Sequence, residues 1–273
     1  MYLCVDIGAT KTLLAAFTLD GKLKKSLKLP TPKHYEDFIA EVSKHLPELE
    51  EQDYQAACIA APGRINREEG VVTAFGNLDW ENIPLAHDFE KLLSCPAVIE
   101  NDTKLAALSE ARLITKDFKK VLYVTISTGI SAGLVVNGII DPQLADSESG
   151  HMLLEHAGKL QTWESFASGK AIVKKYGKMA QDITDEKAWK SIAHDIALGV
   201  IDLVAVIQPE IILIGGGVGS HFDKFSDYLY KELKRYEMPL VPIPPVKMAQ
   251  RPEEAVIYGC YELAKEHYGK AAN

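Results

Sequence analysis

Cysteine is scarce in this chain, and its spacing excludes the common cysteine-based sites. The four cysteines among 273 residues are Cys4, Cys58, Cys95 and Cys260, and no two lie within a few residues of each other. The chain therefore has no C-x-x-C motif of the kind that binds zinc or exchanges disulfides. We expect all four to be small buried side chains, neither metal ligands nor disulfide partners.

Basic stretches and long apolar runs are also missing. Lys and Arg number 30 against 38 Asp and Glu, and no Lys/Arg-rich stripe is present, which disfavours nucleic-acid binding. The longest apolar stretch, 196–214, contains two acidic residues, a glutamine and a proline, and so does not predict a membrane span. Because the first predicted strand begins at Tyr2, it leaves no room for a signal peptide. We expect a cytoplasmic protein without a membrane partner.

Paired strands followed by helices open each half of the chain. The pairs are Tyr2–Ile7 with Leu13–Leu19 and Val121–Ser127 with Ala132–Val136, and helical spacing follows in both halves, for example over 163–176. This alternation predicts an α/β protein with two related lobes.

The lobe boundary is expected near residues 113–120. It gives an N-terminal lobe of residues 1–114 and a C-terminal lobe of residues 115–252. The last helix, within 253–273, is expected to pack back onto the N-terminal lobe, because chain ends often meet at a domain junction.

Each predicted strand pair encloses a tight turn rich in glycine and small hydroxyls. Such turns present backbone N–H groups to an anion, and two of them are typical of a polyphosphate clamp. We expect Asp6 to hold Mg²⁺ through water, because Mg²⁺ keeps much of its hydration shell. The other predicted phosphate-binding residues are Gly8, Thr10, Lys11, Thr128 and Gly129. The alternative is a pair of ordinary hairpins.

A third glycine turn, Gly215-Gly216-Gly217, follows the predicted strand Glu210–Ile214. Bare backbone there would let a base or ribose lie against the chain. The G-x-G-x-x-G spacing is absent, which argues against a Rossmann dinucleotide site. The alternative is a tight connection between a strand and a helix.

Polar clusters at predicted strand ends and loops are candidates for acid–base chemistry and hydroxyl binding. Asp102 follows a strand and could act as a base, although Asn101, Asp102 and Thr103 are also good helix caps. Glu148 and His151 share one short turn, and Glu164 lies at the start of the next helix. Asn77 could bind a hydroxyl as well, whereas Trp80 fits wall packing. A solvated loop is the alternative for the turn at 148–151.

Taken in chain order, these motifs resemble the ROK family of sugar kinases and regulators. The matching segments are Asp6-Ile7-Gly8-Ala9-Thr10-Lys11, Pro62-Gly63, Asn77-Leu78-Asp79-Trp80, Glu100-Asn101-Asp102, Ser127-Thr128-Gly129-Ile130, Glu148-Ser149-Gly150-His151, Glu164 with Ala167-Ser168-Gly169, and Gly215-Gly216-Gly217. The resemblance implies a duplicated actin-like ATPase (ribonuclease H-like) fold with two lobes around a central cleft. It also implies ATP and Mg²⁺ as cofactors, a hexose substrate and a homodimer.

The same resemblance gives roles to individual residues. Asp102 becomes the catalytic base, and the expected sugar ligands are Asn77, Asn101, Asp102, Glu148, His151 and Glu164. The glycines at 215–217 join the nucleotide-binding set.

Two departures from the family pattern stand out. Many members carry a C-x-C-G-x-x-G-C zinc loop, but here the stretch 152–163 has no cysteine, so no structural zinc is expected. Ser131 stands where the family often has glycine. Some zinc-free relatives use polyphosphate as donor, which leaves the donor open.

The leading hypothesis is a hexose kinase, most simply a glucokinase, that makes a sugar 6-phosphate. One alternative is a sugar sensor without catalysis, although regulators of the family carry an added N-terminal DNA-binding domain. Another is an actin-like ATPase that acts on a protein or a carboxylate. The preferred hexose does not follow from the sequence.

Overall fold

The structure is a computed structural model that describes residues 1–49, 53–252 and 254–269. Residue 253 and residues 270–273 of the predicted C-terminal segment lie outside the described residues. The described chain forms two compact units: Met1–Ser109 with Glu254–Asn273, and Glu110–Glu253. The sequence-based division falls between residues 114 and 115.

The helices and strands follow one another in this order. The first set is β1 (Tyr2–Ile7), β2 (Lys11–Phe17), β3 (Leu23–Pro30), α1 (Tyr35–His45), β4 (Ala56–Ala61), β5 (Gly63–Asn66), β6 (Val71–Phe75), β7 (Glu81–Ile83), α2 (Leu85–Leu93), β8 (Ala97–Asn101) and α3 (Asp102–Ile114). The second set is β9 (Lys120–Ile126), β10 (Ile130–Val136), β11 (Ile139–Ile140), β12 (Leu153–His156), β13 (Lys159–Thr162), α4 (Trp163–Ala167), α5 (Gly169–Tyr176) and α6 (Glu186–Ile207). The last set is β14 (Ile211–Gly215), α7 (Gly216–Gly219), α8 (Ser226–Lys234), β15 (Val246–Met248) and α9 (Ala255–Tyr268).

The first unit is built on a five-stranded sheet with the order β3-β2-β1-β4-β8. The strands β3, β2 and β1 are antiparallel neighbours, whereas β1, β4 and β8 run parallel. Asp6 pairs with Ala60, and Ala60 pairs with Glu100, so the carboxyl ends of β1 and β8 flank that of β4. This register places Asp6 and Asp102 at the same edge of the sheet.

Alternating apolar side chains give this sheet two buried faces. Leu3, Val5 and Ile7 belong to a core that also includes Phe38 of α1 and Phe89 of α2. The opposite face packs against α9, where Tyr2 meets the ring of Tyr261 edge-on and the Cys260 thiol donates to the carbonyl of Val5. All four cysteines are free thiols, and Cys95 alone is partly exposed.

The second unit repeats the same strand pattern. Its sheet has the order β11-β10-β9-β14-β15, with β11, β10 and β9 antiparallel and β9, β14 and β15 parallel. The core lies between this sheet and α6, whose buried residues include Trp189, Ile196 and Val200. The repeated hairpin-then-parallel order is the duplication predicted from the sequence. No helix within the described ranges is long and apolar enough to cross a membrane.

One local prediction for this unit was wrong. The predicted helix 163–176 is broken at Ser168, whose extended backbone ends α4 and whose hydroxyl accepts the N–H of Ala171 to cap α5. The stretch 153–162 is an antiparallel hairpin. Its turn is formed by Ala157 and Gly158, both with positive φ. An Ala-Gly pair lacks the Asn-Gly or Asp-Gly signal by which such turns are recognised.

Candidate active site

The turn between β1 and β2 is closed by hydrogen bonds that require glycine. The N–H of Gly8 donates to the carbonyl of Lys11 at 3.0 Å, and a Cβ at Gly8 would lie only 2.7 Å from that oxygen. The hydroxyl of Thr31 donates to the carbonyl of Gly8 at 2.8 Å and fixes the turn from the side. Thr10 and Lys11 remain exposed. The turn is thus rigid at its base and open to a ligand at its tip.

Two carboxylates near this turn are costly to ionise because the fold removes them from water. Burial, together with the nearby charge of Asp102, raises the pKa of Asp6 from 3.8 to about 7. Burial also raises the pKa of Asp102, while the N–H of Thr103 and the charge of Lys104 act to lower it. Two desolvated carboxylates of this kind favour a divalent cation, because Mg²⁺ prefers carboxylate oxygens. Asp6 therefore fits the predicted role.

The junction of β8 and α3 is fixed by side chains on both sides of Asp102. The Asn101 side-chain oxygen accepts the N–H groups of Thr103 and Lys104 at 3.0 and 3.3 Å, so Asn101 does cap the helix. The carboxylate of Asp102 accepts the N–H of Thr103 at 2.7 Å. Both the capping and the functional interpretation of this segment are therefore compatible with the structure.

Sequence reasoning missed Arg67, which follows β5. Its guanidinium makes two bonds to the buried carboxylate of Glu100, at 2.7 and 2.6 Å. Glu100 in turn accepts the N–H of Asn101. A buried Glu within an apolar strand does indicate that a cationic partner exists. It does not say which of 30 Lys and Arg residues supplies it.

Asn77 lies in the exposed segment between β6 and β7. The preceding residue, Gly76, donates its N–H to the carbonyl of Pro62 at 2.9 Å, and the Asn101 amide donates to the neighbouring carbonyl of Gly63 at 3.4 Å. The backbone next to Asn77 and the side chain of Asn101 therefore bond to adjacent residues, Pro62 and Gly63. Trp80 is core packing, since its ring is buried against Tyr35, Phe38 and Phe75.

In the second unit, the turn between β9 and β10 is held against the start of α5. The N–H of Gly169 donates to the carbonyl of Ser127 at 2.7 Å, and that of Lys170 donates to the carbonyl of Thr128 at 3.3 Å. A Cβ at Gly129 would lie 2.7 Å from a carboxylate oxygen of Glu164. Ser131 lies within β10 opposite Thr125, outside this turn.

The structure brings His151 and Glu164 close to that turn. The His151 Nδ1 lies 3.9 Å from an oxygen of Glu164, and both side chains are open to solvent on one side. A Cβ at Gly150 would lie 2.1 Å from the carbonyl of Ile130, so the turn 148–151 packs directly on β10. Gly129, His151 and Glu164 thus form one cluster in this unit, and Glu148 begins the same turn.

The three glycines at the end of β14 and the start of α7 have different surroundings. A Cβ at Gly215 would meet the Tyr123 hydroxyl at 2.2 Å, and one at Gly216, where φ is +81°, would meet the carbonyl of Ile126 at 2.6 Å. Packing alone therefore requires glycine at both positions. No atom lies within 4 Å of a Cβ built at Gly217, so this is the position with open space beside it.

Within the described ranges, no group of three or more His, Cys, Asp and Glu side chains is arranged to hold a metal ion. The stretch where many family members carry the zinc loop is the β12–β13 hairpin. Its one histidine, His156, lies 3.1 Å from the carboxylate of Asp195.

Comparisons with known proteins agree with this architecture. The family model described as "ROK family" matches residues 2–267. The chain is 26% identical to a glucokinase of Streptomyces coelicolor, with 96% of each chain covered. It is 29% identical to an N-acetyl-D-glucosamine kinase of Histophilus somni, with 96% of this chain and 98% of that one covered.

A solved structure gives the corresponding result for the fold. A ROK family glucokinase from Streptomyces griseus, in complex with glucose and AMPPNP, superposes with a TM-score of 0.82 at 23% identity, over 97% of this chain and 99% of that one. The expected family and the expected actin-like ATPase fold are confirmed. The chain belongs to the ROK family.

Proposed function

We propose that this protein is an ATP-dependent kinase that phosphorylates the 6-hydroxyl of glucose or a related hexose, with Asp102 as the catalytic base. The observation that carries the proposal is the pair of desolvated carboxylates, Asp6 and Asp102, at one edge of the sheet in a chain that matches the ROK family over residues 2–267. Relatives named as kinases of glucose and of an N-acetylated amino sugar support the substrate class.

Asp102 suits the role of base because burial raises the pKa of its carboxyl group. A carboxylate whose pKa is raised is a stronger base than a fully hydrated one. In the proposed reaction the sugar 6-hydroxyl oxygen attacks the terminal phosphorus of ATP in line, and the bond from that phosphorus to the bridging oxygen breaks so that ADP leaves. The hydroxyl proton passes to a carboxylate oxygen of Asp102.

Asp6 would hold Mg²⁺, which neutralises charge on the transferring phosphoryl group when it is bound. The phosphate contacts are assigned to the two turns, through Gly8, Thr10 and Lys11 in the first unit and Thr128 and Gly129 in the second. The open backbone at Gly217 is the best candidate of the 215–217 turn for a contact with the nucleoside.

The proposed sugar ligands are Asn77, Asn101 and Asp102 in the first unit and Glu148, His151 and Glu164 in the second. Carboxylates, amides and imidazoles bind vicinal hydroxyls through paired hydrogen bonds. The contact of His151 with Glu164 supports their joint role.

The direct test is Mg²⁺-dependent release of ADP from ATP across a panel of hexoses, with a control without sugar. Asp102→Asn keeps an oxygen that can accept the N–H of Thr103 but cannot act as a base. We expect turnover to fall by roughly 10²–10⁴-fold, the usual contribution of a positioned base, with sugar binding retained. Asp223→Asn, which alters an exposed carboxylate in the second unit, serves as the control.

Each other result has a defined meaning. Near-normal turnover in Asp102→Asn would remove Asp102 from the role of base. Sugar phosphate formed with polyphosphate but not with ATP would change the donor. Sugar binding without phosphorylation by either donor would favour the sensor.

A further inference from the structure

The hairpin β12–β13 connects two of the proposed sugar ligands. His151 lies two residues before β12 begins, and Glu164 lies two residues after β13 ends. The base of the hairpin is closed by the N–H of Trp163, which donates to the carbonyl of Met152 at 2.9 Å. Any shift of this hairpin therefore moves the backbone that carries both ligands.

A buried carboxylate on α6 anchors the hairpin. Asp195 is only 4% exposed. Its carboxylate lies 3.1 Å from the Nε2 of His156 in β12, and it accepts a bond of 2.9 Å from the ammonium group of Lys175 in α5. Its backbone carbonyl accepts the indole N–H of Trp163, the first residue of α4, at 3.2 Å. One residue thus contacts the elements on both sides of Glu164.

His156 is held in one orientation. Its ring stacks on Phe166 with centroids 4.1 Å apart and planes 4° from parallel. The Gln161 amide nitrogen lies 3.0 Å from the His156 carbonyl and 3.2 Å from its Nδ1. Because that nitrogen is a donor to the carbonyl, it also donates to Nδ1, which leaves the Nε2 proton for Asp195. Both ring nitrogens are therefore used.

The hydrogen-bonded network around Asp195 is not needed for stability alone. Apolar residues of similar volume often stabilise a protein as well as a buried ion pair or better, whereas the fixed directions of hydrogen bonds specify geometry. The network ends close to the cluster of Gly129, His151 and Glu164. A Cβ built at Gly129 would lie 2.7 Å from Oε2 of Glu164, and one built at Gly150 would lie 3.4 Å from the same oxygen.

We propose that Asp195 is a positioning residue for sugar binding. Its carboxylate, through His156, and its backbone carbonyl, through Trp163, set the places of His151 and Glu164. This inference rests on the proposed kinase function. It assigns to Asp195 no contact with the sugar.

The test compares Asp195→Asn with Asp202→Asn, which removes a carboxylate from the same helix at an exposed position two turns later. Steady-state kinetics with the preferred sugar should show a sugar KM raised about tenfold in Asp195→Asn. A misplacement of about 1 Å can cost about 10²-fold, so a smaller displacement of Glu164 is enough for a tenfold effect. The KM for ATP should stay within about twofold of the wild-type value, as it should in Asp202→Asn.

A double variant separates positioning from loss of stability. If Asp195 acts through Glu164, Asp195→Asn should change the sugar KM little further in a Glu164→Gln background. Should Asp195→Asn fail to fold, the same sugar KM is measured in His156→Phe. This variant keeps the stacking on Phe166 and removes the bond to Asp195, so the proposal predicts a raised sugar KM for it as well.

A sugar KM equal to that of Asp202→Asn would overturn the proposal. So would an equal rise of the KM in the wild-type and Glu164→Gln backgrounds. If wild-type protein phosphorylates no sugar, the proposed function fails and this inference fails with it. A failure of the inference alone shows as an active wild-type enzyme and an Asp195→Asn variant with normal sugar KM.

Discussion

The carboxylate pair predicts how the stability of the protein changes with pH. The folded protein holds a proton on Asp6 up to about pH 7, whereas the unfolded chain releases it near pH 3.8. Between these values the folded state binds more protons than the unfolded state. Stability contributed by this group is therefore present at low pH and is lost as pH rises from about 4 to about 7.

The size of the effect follows from the shift. A shift of about three pKa units corresponds to about 4 kcal/mol at most. Because Asp6 is only partly buried and is coupled to Asp102, we expect about half of that, or about 2 kcal/mol. Asp6→Asn stays neutral at every pH and should lack this loss. The variant should match the wild type near pH 4 and exceed its stability by about 2 kcal/mol at pH 8.

The assay is urea unfolding of both proteins at several pH values between 4.5 and 8, without Mg²⁺ or nucleotide. Asp223→Asn, at an exposed site, is the control and should follow the wild type throughout. The difference between Asp6→Asn and wild type should grow with pH and level off above pH 7. Parallel stability curves for the two proteins would refute the reasoning, because they would mean that Asp6 ionises in the folded state as it does in the unfolded chain.

Three further predictions concern packing and accessibility. Arg67→Met leaves the Glu100 carboxylate buried without its cationic partner and should lower the free energy of unfolding in urea by about 3–5 kcal/mol, whereas Arg67→Met with Glu100→Met should recover most of that loss. A double variant as unstable as the single one would contradict this. Gly199→Ala places a Cβ 2.2 Å from the buried Trp163 ring and should lower stability by about 1–3 kcal/mol; an unchanged melting temperature would show that the contact relaxes freely. In native protein, a thiol reagent such as DTNB should modify Cys95 alone, and slowly, since burial raises the pKa of its thiol. Rapid reaction of more than one thiol would contradict the burial of Cys4, Cys58 and Cys260.

Much of the fold, including the two glycine-containing hairpin turns proposed to bind phosphate, could be predicted from local sequence. The glycines and hydroxyl residues of the two hairpin turns can be recognised in the sequence because they lie within a few residues of one another. The residue preferences of a turn are a local property. The order of polar motifs at strand ends identified the family, which the comparisons confirm. The Asp102 segment was predicted with two alternatives, and the structure shows why, since Asn101 caps the helix beside a buried carboxylate.

Other features needed the folded chain because they join residues far apart in sequence. Arg67 and Glu100 are 33 residues apart, and His156 and Asp195 are 39 apart. The sequence around each of these residues does not indicate which distant residue it will bind. The pKa of Asp6 depends on how much water the fold removes and on the distance to Asp102, and neither is encoded near Asp6. The break at Ser168 and the Ala-Gly hairpin turn likewise depend on contacts with neighbouring elements.

The sequence by itself therefore determined the architecture, the family and the kinds of groups present at each strand end. Tertiary structure alone decided which charges are paired, which glycines are required by packing and how acidic the two carboxylates are, because burial and electrostatic coupling exist only once distant segments meet.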